Sequence, residues 1–229
     1  MIGLITNDDE SIYLDQLDWF VHYCDANYLE LNISKTKEMV LDFRSKSNTP
    51  EPVVLKGSIV ERVSSYKYLG VMIDDRLNWH THVDSLIKRL NSRMYCLRKL
   101  NYFNVNSKIL SLFYESVIES VWRYCISCWG GNITAGDIAR INRIVKGVER
   151  MIGESRLDFN SVYEDLLYKK LADVMDDRSH PLHDRLVGQL IPRSGRMRLP
   201  PAVTDRYLSS FVPQAVRLHN SNYQRGVNL

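Results

Sequence analysis

Several groups of residues in this sequence have types and spacings that could do chemistry. Three Asp-Asp pairs, Asp8-Asp9, Asp74-Asp75 and Asp176-Asp177, raise nucleotidyl transfer, in which carboxylates hold two divalent metals about 3.5–4 Å apart. None of them follows an aromatic-x dipeptide in a tight hairpin. The first opens a helical pattern, the second leaves a strand and the third follows a helix, so all three read as caps and turns. His82-Val-Asp84 has the His-x-Asp spacing of a non-haem iron site, with His180, His183 or His219 as distal ligand. That pair, however, opens a helix, whereas an oxygenase sets its ligands on the strands of a jelly-roll barrel. Cys125-x-x-Cys128 has ligand spacing, but structural zinc needs four ligands and the sequence has no second pair of this kind. No metal site is expected. Lys35, in Asn32-x-x-Lys35-Thr36, is on its own a turn lysine.

The elements that would position these residues are legible in the hydrophobic spacing. From Asp8 to Tyr28 the pattern is helical, with Tyr13, Leu14, Leu17, Phe20, Val21 and Cys24 on one face and Trp19 extending it. A strand is expected over 38–44, a polar turn over 45–50, and further strands around Val53–Leu55, Val60–Val63 and Lys67–Ile73, forming a small antiparallel set on one helix. A strongly periodic helix follows from His80 to Leu100. Val83, Leu86, Ile87, Leu90, Met94, Leu97 and Leu100 form its apolar stripe, Lys88, Ser92 and Lys99 its opposite face, and Arg89 and Arg93 one shoulder. The next helix, Ser107 to Trp122, is apolar around most of its circumference and reads as central.

Thr134-Ala-Gly-Asp137 has the form of a capping box with Asp in place of the usual Glu or Gln. It opens a helix to about Ile152 on which Ile138, Ile141, Ile144, Val145, Val148 and Ile152 face one way and Arg140, Arg143, Lys146 and Arg150 the other. Four cations on one stripe can track a phosphate backbone; the plainer reading is a solvated helix face. Beyond Gly153 a helix over about 161–175 and a closing amphipathic helix within 209–220 are expected, joined by Arg- and Pro-rich loops.

Composition sets outer bounds. With 229 residues and 45 % apolar content the chain can bury one or two cores, and a formal charge of +3 is compatible with a polyanionic partner without demanding one. No apolar run approaches the roughly 20 residues of a membrane span, and the N-terminus lacks the pattern of a signal peptide. The expectation is an intracellular protein, cytoplasmic or nuclear, not secreted, with no membrane partner, whose four cysteines are free buried thiols.

Taken in order, these motifs resemble the late palm and thumb of reverse transcriptases from non-LTR (LINE-type) retrotransposons. Leu31-Asn32-x-x-Lys35-Thr36-Lys37 resembles the end of motif D, Val63 to Ile73 the strand pair before the thumb, and Leu77-Asn-Trp79 with His82 the thumb entry. Asp177-Arg-Ser-His-Pro-Leu-His183, Ser194-Gly-Arg196 and Ser210 to Arg217 resemble the elements that follow. The resemblance implies an α+β, mainly helical chain. A small antiparallel palm-remnant sheet over 1–75 would be followed by a thumb-like helical bundle over 76–153 and a C-terminal helical and loop region over 154–229.

It further implies that Lys35 is the motif D lysine, beside the leaving pyrophosphate as electrostatic clamp and proton donor. Tyr68, Leu69 and Gly70 would belong to the primer grip. Lys88, Arg89, Lys99, Arg140, Arg143, Lys146 and Arg150 would hold an RNA/DNA template-primer through its backbone. In that family the aromatic-x-Asp-Asp hairpin lies upstream of this segment, so the chain is expected not to polymerise alone, and Mg2+ is expected only for the intact parent polymerase. A stretch over about 64–105 also resembles the N-terminal segment of the AlkB-like tRNA-modifying oxygenase and methyltransferase, which is the alternative enzyme reading, although no Gly-rich cofactor loop is visible. A non-functional translated transposon fragment is the third.

Overall fold

The computed structural model describes residues 1–44, 50–201 and 204–224, so most of the expected polar turn over 45–50 lies outside the described residues. The chain forms two units, Met1–Leu77 and Asn78–Leu229.

The first unit contains helix α1 (Ser11–Ala26) and six short strands, β1 (Lys37–Glu38), β2 (Val54–Leu55), β3 (Ser58–Ile59), β4 (Glu61–Arg62), β5 (Ser65–Tyr68) and β6 (Val71–Asp74). They pair as three two-stranded sheets. β2–β3 and β5–β6 are antiparallel hairpins, whereas β1–β4 is parallel. Each hairpin closes through two residues at positive φ, Lys56-Gly57 (48° and 75°) and Leu69-Gly70 (46° and 89°). That is the turn geometry that matches strand twist, and Gly suits its second position. The chain therefore folds back at Leu69-Gly70, where the spacing predicts a strand running on from Lys67 to Ile73.

The expected strand over 38–44 is reduced to Lys37–Glu38. Its partner β4 is two residues long, so the ladder covers only Lys37 and Glu38. Register in that short pair is held by charge. Lys37 lies opposite Glu61 and bonds it at 2.5 Å, and Glu38 lies opposite Arg62, whose Nε and Nη2 donate to its carboxylate at 3.0 and 3.2 Å. Arg62 also donates to the carbonyls of Pro50 and Glu51. Cross-strand opposite charges of this kind supplement a ladder too short to hold itself. A small core of Leu17, Val53, Leu55 and Val60, flanked by Tyr13, Val21 and Ile33, joins α1 to the first hairpin.

The second unit is helical. α2 (His80–Tyr102) is followed by α3 (Ser107–Phe113), which runs through a π-helical stretch (Tyr114–Glu119) into α4 (Ser120–Arg123). Then come α5 (Ile126–Trp129), α6 (Ala135–Ile152), α7 (Phe159–Asp176), α8 (His183–Val187), α9 (Asp205–Leu208) and α10 (Phe211–Gln224). Residues 154–229 lie within this unit, and α7 packs on α5, α6 and α10.

Trp122, Trp129, Tyr114 and Phe159 are the largest of its fully buried side chains, and Leu86, Leu90 and Leu97 of α2 and Ile141 of α6 are fully buried as well. Trp122 and Trp129 both stand about one ring from Phe159, at 5.9 and 5.8 Å. The segment 107–123 is not a central helix. It buries Leu110, Tyr114, Ile118 and Trp122 and leaves Ile109 and Leu112 exposed, because its buried stripe steps by four residues through the π-helical turn. The cysteines also depart from expectation: Cys24 alone is fully buried, Cys125 is half-buried, and Cys96 and Cys128 are exposed. All four are free thiols.

The Glu38–Arg62 bond should matter more than its neighbour. Glu38→Ala is expected to speed hydrogen exchange of the Val53 and Val63 amides by at least about tenfold, a loss near 1.4 kcal/mol. Lys37→Ala, whose partner Glu61 is largely exposed, is expected to change the same amides by less than about threefold, because exposed pairs contribute little. Equal effects of the two substitutions would contradict this division.

Candidate nucleic-acid interface

The geometry of the second unit begins at the start of α6. Thr134 takes the N-cap position in extended backbone, and its Oγ1 accepts the amide of Asp137 at 3.1 Å. The Thr134 hydroxyl donates to Asp137 Oδ2 at 2.8 Å. Asp is one methylene shorter than the Glu of an ordinary capping box, so here the carboxylate meets the cap hydroxyl and its other oxygen is left for a second partner. That partner is Arg140, whose Nη1 lies 3.0 Å from Asp137 Oδ1 while its Nη2 reaches Asp84 of α2 at 2.7 Å. His80 of α2 lies 3.4 Å from Asp137 and 3.8 Å from Asp84.

Asp137 is only 2 % exposed. Burial raises its pKa, but the hydrogen bonds from Thr134, His80 and Arg140 outweigh burial and hold the carboxyl below its ordinary value. The start of α6 is thereby tied to the start of α2.

This network takes Arg140 away from the stripe expected to meet phosphate. Its guanidinium is engaged with two carboxylates of its own unit. Arg143, Lys146 and Arg150 are exposed, on the side of α6 away from the buried Ile141, Val145, Val148 and Ile152. Arg150 Nε donates to the Lys146 carbonyl at 3.2 Å, which leaves the rest of its guanidinium outward.

On α2, Lys88 and Lys99 are exposed on the face opposite Leu86, Leu90, Met94 and Leu97. Arg89, also expected to contact phosphate, is half-buried. Burial pushes its pKa down, Arg93 adds repulsion, and its Nε is buried without a hydrogen-bond partner. Arg93 itself donates to the carbonyl of Val117. Arg89 and Arg140 thus pack the bundle, while Lys88, Lys99, Arg143, Lys146 and Arg150 face outward. Tyr95 and Tyr102, which no sequence expectation covers, flank Lys99 with the ammonium 5.7 and 5.9 Å from their ring centres. Their spacing of one heptad was the available signal.

In the first unit the Asn32-x-x-Lys35-Thr36 stretch is a self-closed 3-10 turn. Asn32 Oδ1 accepts the Lys35 amide at 3.1 Å and the Ser34 hydroxyl at 2.8 Å, and Thr36 Oγ1 donates to the Asn32 carbonyl at 2.9 Å. Asn32 and Thr36 shape the turn, and the Lys35 side chain stands exposed on it. Tyr68, Leu69 and Gly70 form the tip of the β5–β6 hairpin, with Tyr68 and Leu69 exposed.

Each Asp-Asp pair contributes a carboxylate to its own turn. Asp9 accepts the Ser11 amide, Asp74 the Arg76 amide, and Asp177 the amide and hydroxyl of Ser179. Asp8 is ion-paired to Arg44 at 2.6 Å. His82 and Asp84 do not converge on a common point: Asp84 is bonded to Arg140, whereas the buried His82 ring packs edge-on against Trp79 and Trp129 at 6.4 and 5.0 Å. Among the described residues no group of three His, Cys, Asp or Glu could hold a metal ion, and no helix is long and apolar enough to cross a membrane.

Against known proteins, the chain is 27 % identical over 167 residues to the probable RNA-directed DNA polymerase from transposon X-element of Drosophila melanogaster, covering 70 % of the chain and 18 % of that protein. It is 28 % identical over 110 residues to the probable RNA-directed DNA polymerase from transposon BS of the same organism, covering 47 % and 12 %. The chain carries a retrotransposon reverse transcriptase-like region. The matched part spans under a fifth of the length of either polymerase. A family model described as alkylated DNA repair protein alkB homolog 8, N-terminal, matches residues 79–120, which are α2, α3 and the π-helical stretch. No solved structure gives a significant match.

His82 provides a test of the packing that positions α2. Burial, with repulsion from Arg89 added, lowers its pKa from 6.5 to about 4. A histidine depressed in the folded state binds its proton more readily when unfolded. The contribution of His82 to stability is therefore expected to be full above about pH 6.5 and to be lost as pH drops towards 4, by about 3 kcal/mol. Urea unfolding between pH 7 and 4 should show this slope in the parent chain and a flatter profile in His82→Phe. An unchanged slope in the variant would assign the acid sensitivity elsewhere.

Proposed function

We propose that the chain corresponds to the end of the palm, the thumb and the C-terminal region of a LINE-type retrotransposon reverse transcriptase, and that its own property is to hold a template-primer duplex by its backbone. The similarity to two transposon polymerases supports the parentage. The observation that carries the binding reading is the outward stripe of Arg143, Lys146 and Arg150 on a helix whose other side is locked into the core. Lys88 and Lys99 extend the positive surface on α2. Cations held on rigid helices at turn spacing can neutralise successive phosphates without reading bases.

Chemistry by this chain alone is not part of the proposal. Nucleotidyl transfer needs carboxylates free to bind two metals, and a carboxylate of each Asp-Asp pair is engaged in a local turn. Lys35, exposed on its turn, would act beside a leaving pyrophosphate only where another segment supplies those metals. Tyr68, Leu69 and Gly70, at a hairpin tip, would steady the primer end in the same setting.

Binding of a labelled RNA–DNA hybrid should weaken with salt. Five phosphate contacts predict a slope of log affinity against log salt of about −3.5 to −4.5. Absence of binding at about 50 mM salt, or binding indifferent to salt, would contradict the proposal. In a primer-extension assay with Mg2+ and purified protein the expected product is none, and measurable extension would overturn the inactive half of the reading.

A further inference from the structure

Outside the core of the second unit lies an aromatic strip that phosphate tracking does not explain. Tyr95, Tyr102 and Phe103 are 59 %, 75 % and 71 % exposed, the most exposed aromatic side chains among the described residues of the second unit, whereas its largest aromatics, Trp122, Trp129, Tyr114 and Phe159, are fully buried. Tyr95 and Tyr102 are seven residues apart, so they stand two turns from each other, about 10 Å along one face of α2. Lys99 lies between them, over both rings. Phe103 meets Tyr102 edge-on at 5.4 Å and 77°, bracing the ring at the helix end. Lys88 lies on the same face, two turns before Tyr95.

The charge around the strip is one-sided. α2 exposes Lys88, Arg98 and Lys99, and its single acid, Asp84, is ion-paired to Arg140. A protein partner docking through these rings would have to match that positive field. A nucleotide supplies both complements at once, a flat π-face for the tyrosines and a phosphate for the lysines. Bases inside a duplex are stacked on each other and cannot reach a surface ring, whereas unpaired bases can.

We infer that the Tyr95–Lys99–Tyr102 strip binds single-stranded nucleic acid by stacking unpaired bases, sharing Lys88 and Lys99 with the backbone grip on duplex. The inference rests on the nucleic-acid-binding reading above and adds a second ligand class to it. Aromatic stacking is tolerant of sequence because every base has a π-face, so the strip selects unpaired structure, not sequence. Phe103 backs Tyr102, and Lys88 and Lys99 meet the flanking phosphates.

The test compares the whole chain on two labelled probes, a 20-nucleotide oligouridylate and a blunt RNA–DNA hybrid, at one low salt concentration. The double variant Tyr95→Ala/Tyr102→Ala should lose at least about tenfold in affinity for the oligouridylate and less than about twofold for the hybrid. Tyr95→Phe/Tyr102→Phe should retain parental affinity for both, since the ring and not the hydroxyl stacks. Photocrosslinking of 4-thiouridine in the same oligomer should map to Tyr95 or Tyr102.

Equal loss on both probes, no loss on either, or no binding of the oligouridylate by the parent chain would overturn the inference. Hybrid binding that persists in those cases would leave the duplex reading standing, and absence of binding to both probes would remove both. A variant whose only change is in self-association would assign the strip to an interface between copies and likewise overturn the inference.

Discussion

The buried carboxylate of Asp137 is the point on which the helical unit depends. It closes the N-terminus of α6 through Thr134, takes the guanidinium of Arg140, and through that guanidinium reaches Asp84 on α2. A carboxylate in the first turn of a helix is favoured by the helix dipole. A buried one is tolerable only when its lone pairs are filled, and here they are filled by groups from two helices. The result is a charged latch placed at the starts of α2 and α6, with the aromatic packing of Trp79, His82 and Trp129 beside it. Which face of each helix meets solvent follows from that latch and from the apolar stripes packed below it.

Two kinds of basic residue are separated by this arrangement. Arg89, Arg93 and Arg140 are turned into the bundle, where Arg93 meets a carbonyl, Arg140 two carboxylates, and Arg89 is half-buried under repulsion from Arg93. Arg143, Lys146, Arg150, Lys88 and Lys99 remain outward. Long cationic side chains can do either, burying a stem while the head finds a partner, and charge alone does not decide which. For Arg93 and Arg140 a carbonyl or carboxylate on a neighbouring element lies within reach; Arg89 is held inward by its place beside the apolar stripe of α2.

The same physics accounts for what could be read in the sequence. The start of α6 was legible because a cap is local: Thr134 and Asp137 are three residues apart and fix each other. α2 was legible from its apolar period, and the mainly helical α+β class follows from such periods. The fate of Arg140 was not legible, since Asp84 lies 56 residues earlier in the chain. Nor was the return of the chain at Leu69-Gly70, because an apolar Leu in a left-handed turn position carries no turn signal of its own. On its own Lys35 reads as a turn lysine, and only the family resemblance implies chemistry for it. The structure gives Asn32 a structural task as the closing group of a turn and leaves Lys35 as an exposed side chain on it.

The most direct test of this division of labour is to measure stability and hybrid affinity together for two variants. Arg140→Ala should lower unfolding stability by about 1–2 kcal/mol, because it leaves Asp137 and Asp84 short of a partner, and should leave the salt slope of hybrid binding unchanged. Arg143→Ala/Lys146→Ala/Arg150→Ala should leave stability within about 0.5 kcal/mol and make the salt slope shallower by about 2–3. The account is contradicted if Arg140→Ala reduces the salt slope without loss of stability, or if the triple variant destabilises the fold and leaves the slope intact.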